Sequence, residues 1–256
     1  MRFQLPQPLH GWRAFVGEVG IIVLGVLIAL AANEFVDDLQ WKAKVNRAEA
    51  AMRLELSNDD TVQAYARMLI GPCLDARIAR IHDGAGQASA DDLRHWISEY
   101  TPPIRGWDSE AWKAVLGSDV GSHMGAERLV EWSSPYRLMP ALSDYNLRER
   151  DATIELHETL PPNGDASSAD LQMLRRSAAQ LRSLNGVFYR VSQLVLARSR
   201  AVGAAPPEPA RQKLLSEARA MYGSCVREPD LNVKPLAQGL TADLRSIPVD
   251  FENPAR

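Results

Sequence analysis

The sequence predicts an all-α fold in which one membrane helix continues into an antiparallel helical bundle and ends in an irregular tail. Three observations predict it. Ala14 to Val36 reads AFVGEVGIIVLGVLIALAANEFV, and no later stretch is as long and as apolar. The apolar residues after it recur at helical spacing, without a convincing alternating strand. Pro229, Pro235, Pro248 and Pro254 punctuate residues 227–256, which read as an extended tail with one turn near Leu240–Leu244.

The apolar run is read as a retained transmembrane helix, 14–36. At about 1.5 Å per residue, some 20 residues cross a hydrocarbon core of about 30 Å. The alternative is a secretory signal peptide cut after Ala29-Leu30-Ala31. Against cleavage, apolar character continues through Phe35 and Val36, nothing breaks the helix there, and only Arg2 and Arg13 precede the run. Val187–Ala205 contains Arg190, Arg198 and Arg200 and fails as a second span. Basic residues flank the start and acidic ones follow the end, so residues 1–13 are expected in the cytoplasm. The helical domain, 37–226, is then extracytoplasmic, at the inner (plasma) membrane and periplasmic in a Gram-negative cell.

One face of the membrane helix carries Glu18, Gly25, Ala29 and Asn33. Small residues allow close approach of another helix, and Asn33 is able to hydrogen-bond across such an interface. This face is the candidate contact for a membrane-helix partner or a second copy. The plainer alternative is that small residues are common in membrane helices and that Glu18 merely reaches the headgroups.

Beyond the span, Trp41, Val45, Ala48, Met52, Val62, Tyr65, Ala66 and Leu69 extend the helix to Gly71-Pro72. A second helix is expected at Leu74–Ile81, and Ser89 with Asp92 caps a third that runs to Tyr100. Short helices follow at Ser109–Leu116 and Gly125–Trp132. Pro135 is expected to open a long helix to Leu160, with Pro140 in its first turns. Leu160-Pro161-Pro162-Asn163-Gly164-Asp165 is a loop. After it come a long helix through about Arg200 and a shorter one at Glu208–Met221. An antiparallel hairpin across that loop can place Glu149, Asp151, Glu155 and Glu158 of one long helix opposite Arg175, Arg176, Arg182 and Arg190 of the other, although such charges are more often simply solvated.

Net charge is −3 and hydrophobic residues make up 46% of the chain, so no global basic footprint for nucleic acid is present. The two cysteines, Cys73 and Cys225, pair as a disulfide if the domain is exported, or stay as buried thiols if it is cytosolic. Trp107, Trp112, Trp132 and Tyr136 read as a core where short helices pack, or as a ligand pocket. The five histidines show no metal-ligand spacing, and no P-loop, dinucleotide fingerprint or nucleophile elbow occurs. No cofactor and no catalytic residue is therefore expected.

The membrane segment also resembles a known signature. Gly17, Glu18, Gly25, Leu27, Ile28, Ala29, Leu30 and Asn33 are similar to the Gly-Glu…Gly-x-Leu-Ile-Ala-Leu helix of uncharacterised bacterial single-pass membrane proteins. The stretch from Ala111-Trp112 through Ser118, Met124, Leu129 and Trp132 to Tyr136 resembles a segment of short helices in the same proteins. Here Gly117-Ser118-Asp119 stands where Ser-Gly is usual. The resemblance implies an anchor and an exported helical domain and supplies no activity. The expected function is a membrane-anchored interaction or scaffold protein; the alternative is a small-ligand-binding, sensor-like bundle acting through a membrane partner.

Overall fold

The computed structural model describes residues 12–231. Residues 1–11 and 232–256, with the expected turn near Leu240–Leu244, lie outside it. Among the described residues the fold is all-α: one long N-terminal apolar helix followed by a bundle of helices.

The first helix, α1 (Trp12–Glu55), passes through a five-residue π-helical segment, Leu56–Asp60, into α2 (Thr61–Gly84). Phe15–Gly84 is thus one continuous rod of 70 residues, about 105 Å long. Every residue from Phe15 to Gln40 is exposed. This bare length is about 39 Å, enough for a hydrocarbon core and part of the headgroup layers. Farther along, the rod becomes the centre of the bundle. Residues 64–71 are all buried, because other helices cover α2 on several sides.

The expected break at Gly71-Pro72 does not occur, and the separate Leu74–Ile81 helix is part of α2. An interior proline removes one backbone hydrogen bond and costs about 3 kcal/mol. Burial of Met68, Leu69, Cys73 and Leu74 around it offsets that cost. Next to the proline, Asn185 Nδ2 donates to the Gly71 carbonyl at 3.0 Å.

Helix α3 (Ala90–Ser98) begins at the expected cap, where the Ser89 hydroxyl accepts from the Asp92 N–H at 3.1 Å. The chain then runs without regular secondary structure, 101–109, back toward the N-terminal half of the rod. Three short helices pack near α1: α4 (Glu110–Leu116), α5 (Val120–His123) and α6 (Ala126–Tyr136). Pro135 lies buried in the last turn of α6 and does not open the next helix. The long helix α7 (Met139–Glu158) starts later, with Pro140 in its first turn, where a missing N–H costs nothing.

The loop before Ser167 is as expected, and Ser167 with Asp170 forms a capping box for α8 (Ser168–Ala201). Helix α8 runs antiparallel to α2, since Arg182 meets Asp75 while Asn185 meets Gly71. Pairing of α7 carboxylates with α8 arginines does not form, and Asp151, Glu155, Glu158, Arg175, Arg176 and Arg182 are all exposed, as the solvated alternative has it. Arg182 pairs with Asp75, Arg175 donates to the Ala85 carbonyl, and Glu149 pairs with Arg67, because α8 packs most extensively on α2. Helix α9 (Glu208–Tyr222) lies along another side of α2.

After α9, Cys225 is bonded to Cys73 with their Cα atoms 5.1 Å apart. The beginning of the expected tail is tied to the rod. Arg227 N–H donates to the Leu69 carbonyl at 3.3 Å, and the Tyr65 hydroxyl donates to Glu228 Oε1 at 3.2 Å.

Candidate functional site

Three places carry polar or aromatic groups that packing alone does not require: the exposed span, the junction around the π-helical segment, and a cleft beside α7.

On the span, Glu18, Gly25, Ala29 and Asn33 are all exposed, and a Cβ added at Gly25 meets nothing within 4 Å. Asn33 Nδ2 donates within its own helix to Asp37 Oδ2 at 3.2 Å. The bundle leaves this face uncovered. Trp41 is the first residue that the bundle reaches. Its ring stacks on His123 at 3.8 Å between centroids, and Lys44 Nζ lies 3.9 Å from the same ring. Helix α5 is thereby held about 8 Å beyond Val36 along the helix axis.

The four aromatic residues pack where the short helices meet the rod. Trp112 stacks on Tyr136 at 5.6 Å, and the Arg53 guanidinium covers Trp132 at 5.5 Å. Trp107 lies 6.0 Å from Phe188 of α8, and the Tyr136 hydroxyl donates to the Met52 carbonyl at 3.1 Å. None of the four lines either cleft described below.

At the junction, two carboxylates fasten the first turn of α4 and the chain just ahead of it to the rod. Asp60 is fully buried; its Oδ1 accepts from the Asp108 N–H at 3.2 Å and its Oδ2 has no protein partner. Glu55 Oε2 accepts from the Ala111 N–H at 2.9 Å. Burial pushes the Asp60 carboxyl up from 3.8 to about 7. The nearby Glu55, Asp108 and Asp59 charges add to the rise, and the Asp108 N–H opposes it. A carboxyl raised in the folded state favours folding while protonated. That contribution is full below about pH 4 and is lost as pH rises through about 7. Unfolding midpoints of the wild type should therefore fall across this window, and Asp60→Asn should flatten the fall. The difference is on the order of 4 kcal/mol at most. Parallel pH profiles for the two proteins would assign the dependence to other groups.

Beside α7, a cleft of about 510 Å³ opens against the segment Tyr100–Ile104. Ile104 and Ile154 form its apolar walls, and the buried side chains of Asn146 and Glu149 reach it from below. Glu149 Oε1 accepts from an Arg67 Nη at 2.5 Å. The same nitrogen donates to Asn185 Oδ1 at 2.9 Å, and the guanidinium lies 4.7 Å from the Phe188 ring. Arg67 Nε and its other Nη have no protein partner, nor has the Tyr100 hydroxyl, which burial holds far above its ordinary pKa. A second cleft, of about 420 Å³, lies between α7 and α8 near Tyr145, Gln180 and Leu184.

Arg67, Glu149, Asn185 and Asp60 did not stand out in the sequence as site residues. Arg67 had a signal: it is the single charge in the otherwise apolar Tyr65–Leu74. Glu149 and Asn185 had none, because their roles depend on partners 82 and 118 positions away from them at Arg67. Among the described residues no group of three or more His, Cys, Asp and Glu is placed to hold a metal ion. The chain matches no protein-family model, no curated protein and no solved structure.

Proposed function

We propose that this chain is a membrane-anchored helical interaction module, with its N-terminus in the cytoplasm and its bundle outside. The observation that carries this reading is continuity. The exposed apolar span and the central helix of the bundle are one rod, Phe15–Gly84, so a bundle held at the membrane is fixed in direction as well as in place. The Cys73–Cys225 bond supports an oxidising compartment for the bundle. The uncovered face of Glu18, Gly25, Ala29 and Asn33 is left for a second membrane helix, from another copy or another protein. Kinship with bacterial single-pass membrane proteins rests on the Gly17–Asn33 signature.

Alkaline phosphatase fused after Arg256, leaving the whole chain intact, should be active in a Gram-negative host. An inactive phosphatase, with a fluorescent cytoplasmic reporter active at the same position, would reverse the orientation and the localisation together.

A second reading, a small-ligand-binding bundle acting through a membrane partner, is supported by the cleft beside α7. Its lining residue Glu149 is bonded to Arg67 on the central helix, so a ligand beside Glu149 is one side chain away from the rod. The aromatic group that first raised this reading lines no part of that cleft.

A further inference from the structure

We propose that Asp60 and Glu55 form a proton-operated latch on the rod: while Asp60 carries a proton, segment 101–109 and the start of α4 stay fastened to the π-helical joint, and loss of that proton releases them. The latch needs no ligand, so it goes beyond both readings above.

The joint supplies the geometry. Leu56–Asp60 is a π-helical turn between α1 and α2, and such turns recur at functional sites. A carboxylate stands at each end of it, Glu55 just before the turn and Asp60 as its last residue. Each takes one backbone N–H from the chain that crosses the rod. The Asp108 N–H donates to Asp60 Oδ1 at 3.2 Å, and the Ala111 N–H donates to Glu55 Oε2 at 2.9 Å. Segment 101–109 has no regular secondary structure, so opening it breaks no helical hydrogen bonds of its own. It is also held by Asn146 Nδ2 on the Arg105 carbonyl and by Trp107 against Phe188.

The surroundings of Asp60 decide which protonation state stays closed. Its side chain is fully buried, and Oδ2 has no protein partner among the described residues. A neutral carboxyl tolerates such a place, whereas an ionised one gives up its hydration for a single N–H. The charges that face it are of its own sign: Glu55 from α1, Asp59 from its own turn and Asp108 from the segment. Tyr136 of α6 is a neutral neighbour, because burial and the Glu55 and Asp60 carboxylates all hold its proton on. Lys113 of α4 lies toward Glu55 and Asp108 but is bonded to Glu110 at 2.7 Å. Arg67, the first charged residue of α2, pairs with Glu149. On α8, burial lowers the pKa of Arg190 and Arg198, with Arg137 adding to the second, and Asp60 acts on neither.

Asp60 therefore keeps its proton up to about pH 7, and above that the closed latch confines a costly charge. Opening lets water reach that charge. The open form then gains on the closed one about tenfold for each further pH unit.

Hydrogen exchange of the full chain in nanodiscs of zwitterionic lipid tests the latch, read by mass spectrometry and corrected for the intrinsic rate at each pH. From about pH 5.5 to about pH 8.5, peptides covering 106–112 should lose about tenfold or more in protection. Peptides covering 185–196 of α8 should keep theirs. Asp60→Asn, of the same shape and uncharged at any pH, should stay protected throughout. Glu55→Gln keeps an acceptor for the Ala111 N–H and removes a neighbouring charge, so the latch should open at lower pH than in the wild type. Protection at 106–112 that is flat in pH would overturn the latch. So would a fall shared equally by 185–196, or an Asp60→Asn profile that follows the wild type.

Discussion

Replacing both Cys73 and Cys225 with alanine should lower the unfolding free energy of the bundle by about 3–5 kcal/mol. The bond joins residues 152 positions apart, and closing so long a loop removes much of the freedom of the unfolded chain. The chain-entropy relation gives about 5 kcal/mol, an upper figure because unfolded chains keep some structure. Against a typical total of about 5–15 kcal/mol, the loss is large. Its structural consequence is local first: the bond ties the turn after α9 to the middle of α2, so α9 and the segment through Leu231 should loosen before the rest. Urea unfolding of the wild type with and without reductant, and of the double variant, measures the effect. Coincident midpoints in all three would show that the bond does not constrain the unfolded chain.

Breaking the Arg67–Glu149 pair should have an effect of similar size. Both side chains are at most 3% exposed, and removing one leaves the other as an uncompensated buried charge. Such truncations cost about 3–5 kcal/mol. Arg67→Met also deprives Asn185 of its donor, so it should be the worse of the two single changes. Arg67→Met combined with Glu149→Leu should recover most of the loss, because two apolar side chains of similar volume need no partner. A double-mutant cycle by chemical unfolding gives the coupling directly. Single variants each costing under about 1 kcal/mol would mean that water reaches the pair and that the floor of the cleft is wet.

The helices were legible in the sequence where their signals are local. The Ser89–Asp92 cap, the loop at Pro161-Pro162-Asn163-Gly164 and the apolar run from Ala14 each act within a few residues. Pro72 and Pro135 misled because a proline's local preference against a helix interior was overridden by packing from distant segments. The helix at Pro72 continues because α8 and α9 bury α2 around it; that contact is written more than 100 residues later. Of the α7 carboxylates, the partner of Glu149 was not legible for the same reason. Glu149 has suitable arginines on α8 by pattern, yet the geometry of three helices turns it to Arg67. The aromatic residues were legible as a group but not as separate contacts, since Trp107 belongs with Phe188 of α8 and Trp112 with Tyr136 of α6. The cleft beside α7 had no sequence signal, because its walls, Ile104 and Ile154, come from segments 50 residues apart.

The central position of α2 also sets an order of events during synthesis. Residues 61–84 leave the ribosome early, joined to the apolar N-terminal span, while α8 and α9 are still untranslated. At about 5–20 residues per second, Cys73 waits about 8–30 s for Cys225 to be made. Until α8 and α9 follow, the apolar surface of Tyr65, Met68, Leu69 and Leu74 lacks their cover, and the Cys73 thiol stays free to meet other thiols until Cys225 arrives. A nascent chain stalled after Gly164 should therefore bind holdase chaperones and form mixed disulfides through Cys73, and one that has gone past Leu231 and folded should do neither.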